Sequence, residues 1–338
     1  MNNDFYSQQL INELSQFLGL AEKAAINDHT ELCCKLKTAD DGYMYDINYL
    51  NRQRAAYCIL LNNITISEYI LSALLEEEII SRENDPFSGT SDALNIFTLM
   101  LLEYNADNRY EPLFTRAKNA NFDCECGYDP HSARLHRMYP KQLSEYSPKA
   151  CISIADELQL HTLHQTLCIQ FLHDYPPAVR NDLEYACMLN MSLGRENENI
   201  PYRKMLLTDS VKSGDNWSIA ADSSRLIKLL ISQEEYSEAL TVINTYQKYL
   251  MMIDGWYECG LGRDFFEYIA ALICNIPENS LSLWKKWRKY ILKYPSRMST
   301  DCITKCISAA HKIGDESAAN KLIRSYSHNH IKFWEEMK

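Results

Sequence analysis

The run Leu226-Ile-Lys-Leu-Leu-Ile-Ser-Gln-Glu-Glu-Tyr236-Ser-Glu-Ala239-Leu240 constrains the fold of this chain more than any other stretch. Leu226 and Leu230 stand one helical turn apart, and after a polar break the apolar pattern resumes at Tyr236, Ala239 and Leu240. A small residue inside such a stripe lets one helix lie close against its partner. The expected unit is a pair of helices joined by a tight turn and packed through Ala239.

Much of the remaining chain reads the same way. Leu10, Leu14, Phe17, Leu18 and Ala21 recur at three- and four-residue steps, so a helix is expected from about Asp4. A polar stretch over 27–42 interrupts. Helices follow over 47–62 and 67–82, and Glu76, Glu77 and Glu78 in the second read as a solvated face. The turn-rich stretch Asn84 to Ser91 ends at Ser91 or Asp92, either of which can cap a helix running to about Tyr104. In the second half, helices are expected over 149–159, 162–174, 179–193, 200–212, 217–232, 235–251, 262–274, 279–293, 299–313 and 316–327. Tyr175-Pro176-Pro177 and Tyr294-Pro295 close two of them, because proline forces the residue before it out of helical geometry.

Between these halves, Pro112, Pro130, Pro140 and Pro148, with Gly127, break the pattern over 105–149, leaving Leu113–Asn119 as a short helix. The expected organisation is an N-terminal helical region (1–104), an irregular proline-rich connection (105–149) and a helical array (150–338). Ten glycines in 338 residues are too few for long strand-and-turn architectures or glycine-rich phosphate loops. The expected class is therefore all-α.

A formal charge of −11 argues against nucleic acid as a general partner, since phosphate backbones bind through accumulated Lys and Arg. Of the twelve cysteines, Cys58, Cys151, Cys168, Cys187, Cys274, Cys302 and Cys306 fall inside apolar helical patterns, where free Cys acts as a small buried hydrophobe. The amino terminus has neither a basic start nor an apolar run, so no secretory signal is read. The richest apolar stretch, Ala93 to Leu102, is too short to span a bilayer. These features together lead us to expect a cytoplasmic protein with reduced thiols and no transmembrane segment.

Residues 217–250 resemble a tetratricopeptide repeat. Leu226 and Leu230 stand where that family's first helix packs inward, and Tyr236, Ala239 and Leu240 match the start of its second. Ile303, Ile307 and Ala310, then Gly314-Asp315, Ala319 and Ile323, give a second match. Ile227 and Tyr246 replace small residues of the family pattern, Met251 stands near its expected proline, and Glu316 replaces an aromatic. The resemblance implies stacked helical hairpins forming an α-solenoid that carries a peptide or partner protein on its concave surface and seldom carries chemistry.

Two sets of residues are candidate sites. Cys124, Cys126, His131 and His136 are competent zinc ligands in the loop-rich segment, although a single residue separates the cysteines where zinc knuckles use two to four. His161, His164 and Cys168 share a helix face with leucines, and Cys302 and Cys306 with Ile303 and Ile307, which suits core packing better than metal or redox chemistry. The partner-binding candidates are aromatic: Tyr236, Tyr246 and Tyr257, and Trp284 and Trp287 in a stripe with Ile291 and Tyr294. Lys285, Lys286, Lys289 and Lys293 flank that stripe, so the helix either docks on an acidic or anionic surface or is an ordinary repeat helix with a buried seam. No nucleophile elbow, phosphate loop, dinucleotide fingerprint or His-Glu-x-x-His pair is visible. Asp156 and Glu157 are adjacent, but adjacency on a helix separates their side chains.

The function expected from the sequence is thus a non-catalytic scaffold, adaptor or regulator. Its partner is expected to be a protein or peptide with basic patches, and no cofactor is required. The alternative is a zinc-stabilised protein or metal-dependent enzyme built on the central Cys/His segment.

Overall fold

The computed structural model of the chain describes residues 3–26, 28, 30–40, 42–86, 88–293, 295 and 298–336, with side chains described over 4–326 of these. Expectations that fell on Asn27, His29, Asp41, Phe87 and Tyr294 lie outside the described residues. The described chain is all-α apart from one small antiparallel hairpin, and it divides into two compact units, Met1–His173 and Asp174–Lys338.

In the first unit the helices are α1 (Asn3–Leu14), α2 (Leu18–Ala25), α3 (Tyr49–Leu61), α4 (Glu68–Glu83), α5 (Asp92–Leu102), α6 (Glu111–Lys118), α7 (Phe122–Gly127), α8 (Ala133–Met138), α9 (Pro148–Glu157) and α10 (His161–Asp174), the last reaching the unit's border. α3 is buried without interruption from Ala55 to Leu61, and α5 is nearly so. A helix that is apolar all round belongs at the centre of its unit. α3 and α5 pack on one another, α4 packs on α5, and α2 covers α3. Ser91 is the cap of α5, its side chain accepting the Leu94 amide at 3.0 Å.

The polar stretch after α2 contains the hairpin of β1 (Leu36–Thr38) and β2 (Met44–Asp46), paired Leu36 to Asp46 and Thr38 to Met44. Gly42 supplies the turn at φ +85°. The Asp46 side chain ties this exposed hairpin to the core. Asp46 accepts an ion pair from Arg52 of α3, and Arg52 donates its Nε to Glu78 of α4 at 2.6 Å. Glu78 also takes Arg82 Nη2 at 3.2 Å and the Ser91 hydroxyl, and it is fully buried. Only part of the glutamate run is therefore a solvated face: Glu76 is exposed, whereas Glu78 points inward to two guanidinium groups.

Residues 105–149 fall within this first unit and form α6, α7, α8 and a short 3₁₀ turn, where one short helix was expected. Asn121 fastens the segment. Its side-chain oxygen caps α7 at the Cys124 amide, and its Nδ2 donates to the carbonyls of Asp85 and Ser88, both at 2.9 Å.

The second unit contains α11 (Arg180–Ser192), α12 (Asn199–Ser213), α13 (Asn216–Ser232), α14 (Tyr236–Met251), α15 (Gly260–Asn275), α16 (Pro277–Ile291), α17 (Thr300–Lys312) and α18 (Glu316–Glu336). These match the expected segments within a few residues, except that α18 continues further. α13 packs on α14, α15 on α16 and α17 on α18, while α13 also touches α15 and α15 touches α17. Gly214 and Gly314 end α12 and α17 in the left-handed region, at φ +75° and +77°. Asp215 and Asp315 follow them and cap the next helices, accepting the amides of Ser218 at 2.8 Å and Ala318 at 3.0 Å. Ala239 is fully buried where α14 meets α13, and Ala309, Ala310, Ala318 and Ala319 are buried in the cluster that holds α17 and α18.

Candidate functional site

The four proposed zinc ligands are not gathered. Cys124 is buried in α7, and burial pushes its thiol up, against the thiolate a metal needs. Cys126 is exposed on the same short helix. His131 turns to a carboxyl oxygen of Glu111 at 3.1 Å and sets its ring edge-on to Phe114. His136 is exposed on α8. Among the described residues no group of three or more His, Cys, Asp or Glu side chains is placed to hold a metal ion. His164 and Cys168 do touch, at 3.4 Å, but inside the packed face of α10, while His161 is exposed.

The tryptophans of α16 point inward. Trp284 and Trp287 are 2% and 1% exposed, so neither offers a surface to a partner. Trp287 packs against Phe265 with ring centroids 4.7 Å apart and against Trp256 at 6.4 Å, while Trp284 Nε1 donates to Asp315 at 3.0 Å. The physical reason is helical spacing. Residues 284, 287 and 291 share one face, and that face is buried, which leaves Lys285, Lys286 and Lys289 exposed on the other. Tyr236, Tyr246 and Tyr257 are half-buried and packed against the same core. Tyr246 lines a notch of about 20 Å³ with Ser224, Gln247 and Tyr268, room for a water and little else.

A different surface emerges from α13, α15 and α17. Residues 221, 224, 225 and 228 of α13 share a helix face, as do 264, 267, 268 and 271 of α15 and 301, 304, 305 and 308 of α17. Nearly all of these positions are exposed or half-buried. The three stripes adjoin: the Ser224 hydroxyl meets the Tyr268 hydroxyl at 3.2 Å, and Lys305 pairs with Glu267. Burial, and next the neighbouring Glu267, raises the Asp264 carboxyl, with Lys228 and Arg263 opposing the rise. The result is one polar face of mixed sign across three helices.

Sequence reasoning missed this face because its residues are ordinary polar ones. The only signal was the repetition of exposed positions at three- and four-residue steps in alternate helices. It also missed the neighbour of Glu157, Asp92 of α5, which lines the same cleft. No known protein family, curated protein or solved structure matches the chain. Among the described residues no helix is long and apolar enough to cross a membrane.

Proposed function

We propose that the chain is a non-catalytic scaffold that binds a protein or peptide across the face formed by α13, α15 and α17. The observation that carries this reading is the lateral joining of these helices through Ser224–Tyr268 and Glu267–Lys305, each being the first helix of a hairpin. In a stacked-hairpin array, corresponding helices that adjoin one another form one extended surface of the kind that carries a partner. The capping turns at Gly214-Asp215 and Gly314-Asp315 support the same reading. Exposed apolar residues elsewhere in this unit (Met188, Met191 and Met205, with Trp217 at 51% exposure) suit a surface that adapts to a partner. With a net charge of −11, a partner with basic patches gains from long-range attraction, so association should slow as salt is added.

The test is a partner recovered from the protein's own cells, then purified and titrated against variants. Asp264→Arg together with Thr304→Arg should weaken binding by about tenfold or more, the scale of a disrupted interface centre. Lys289→Glu, on the exposed side of α16, should leave it unchanged. Binding indifferent to the first pair of changes overturns the reading.

A further inference from the structure

Glu157 and Asp92 come together in a cleft of about 350 Å³ within the first unit, a volume in the range of small-molecule sites. Asp92 opens α5 and also accepts the hydroxyls of Tyr57, at 2.6 Å, and Tyr139. Tyr139 in turn takes Asn95 Nδ2 at 3.2 Å. The Tyr57 and Tyr139 hydroxyls, raised first by burial and then by the Asp92 charge, remain donors. Glu157, at the end of α9, faces this assembly. The hydrogen bond to Asp92 and then burial push its carboxyl up to about 8, with Asp156 adding to the rise and Ser153 opposing it. Near neutral pH the pair of acids therefore retains a proton.

Tyr146 supplies an independent observation. It lines the same cleft and is 3% exposed, yet its hydroxyl has no hydrogen-bond partner among the described residues. A buried hydroxyl without a partner is unfavourable, so a group that satisfies it is favoured. The rim adds Glu145 and Arg137, and Arg137 is the one cation among the lining residues, against three acids. Met138, Pro140, Ala150 and Ile154 make apolar wall.

We propose that this cleft takes one alkylammonium group, a lysine side chain or a free primary amine, between Glu157, the Asp92 carboxylate and the Tyr146 hydroxyl. The methylenes lie on the apolar wall, and the tyrosine rings offer electron-rich surface to the cation. On entry the proton shared by the two acids leaves to solvent, and the ammonium replaces it as donor. One positive charge is exchanged for another, so binding strengthens as pH rises from 6 to 8, a window about two units wide below the Glu157 value.

The experiment is isothermal titration of the full chain with two probes, Nα-acetyl-lysine amide and n-butylammonium, in two buffers of different ionisation enthalpy near pH 7. Saturable binding is expected, with a heat that depends on the buffer because a proton is released. Tighter binding of the lysine probe marks a protein side chain as the source, and equal binding marks a free amine. E157Q keeps a donor toward Asp92 and so preserves the fold. It should abolish proton release and weaken binding by about tenfold, and Y146F should weaken it several-fold. The proposal is overturned if the uncharged Nα-acetyl-norleucine amide binds as well as the lysine probe. A buffer-independent heat, or no binding of either amine at millimolar concentration, overturns it equally.

Discussion

Arg52 donates its Nε to Glu78 at 2.6 Å, and neither side chain reaches solvent. Burial alone would raise the Glu78 carboxyl, but the guanidinium groups of Arg52 and then Arg82 hold it below its ordinary value. The pair links α3 to α4, and through Asp46 it carries the exposed hairpin.

Removing one partner of a buried pair leaves the other uncompensated. Glu78→Ala should cost about 3–5 kcal/mol. Glu76→Ala breaks only the exposed pair with Arg116 and should cost no more than about 1 kcal/mol. Urea unfolding monitored by circular dichroism distinguishes the two, and equal midpoints would remove Glu78 as an organising residue.

The aromatic cluster of the second unit makes a packing prediction. Trp287→Ala should destabilise by about 3–5 kcal/mol, whereas Lys289→Ala, exposed on the same helix, should stay within about 0.5 kcal/mol. Gly262 tests the same region from the backbone side. A Cβ there would lie 2.0 Å from the Trp256 carbonyl oxygen, so Gly262→Ala should cost about 1–3 kcal/mol in forced displacement. Thermal melts of the three variants suffice.

Acid should loosen the tie between α16 and Asp315, in the capping turn before α18. Hydrogen bonds from Arg288, then from Trp284, hold the Asp315 carboxyl down at about 2, below its ordinary 3.8. The unfolded chain binds the extra proton in that interval, so the contribution is complete above 3.8 and disappears as pH falls through about 2. Melting temperature against pH should therefore fall less steeply in Asp315→Asn than in the native chain below pH 4, where about this one group is removed from the titration.

Glu157 has the opposite sign. Its value of about 8 lies above the ordinary 4.5, so the native state binds the extra proton and the contribution is complete below 4.5. It is lost as pH rises through about 8. Glu157→Gln should flatten the alkaline side of the melting profile, and an unchanged profile would mean that Glu157 and Asp92 do not share a proton.

The helices of the second unit were legible because their apolar residues recur at three- and four-residue steps over a dozen positions or more, and because Gly314-Asp315 is a stop followed by a cap. The hairpin at 36–46 was not. Its strands are three residues long and largely exposed, so no alternation of burial marks them. α7 and α8 span six residues each, too short for a helical period to register. Glu78 read as solvent-facing because a charged triplet carries no sign of which member meets an arginine brought from α3. The same blindness hid Glu157, whose main neighbour Asp92 lies on another helix far away in the chain, while the visible Asp156 adds only a smaller effect. Trp284 and Trp287 were recognised as one stripe, but a stripe does not announce whether it faces a core or a partner.

Hydrogen–deuterium exchange on the purified complex tests the scaffold reading most directly. Binding across the α13–α15–α17 face predicts new protection concentrated at 221–228, 264–271 and 301–308, with α16 unchanged at 285–289. Protection confined to α16 or to the first unit, with those three stretches exchanging as in the free chain, would contradict it.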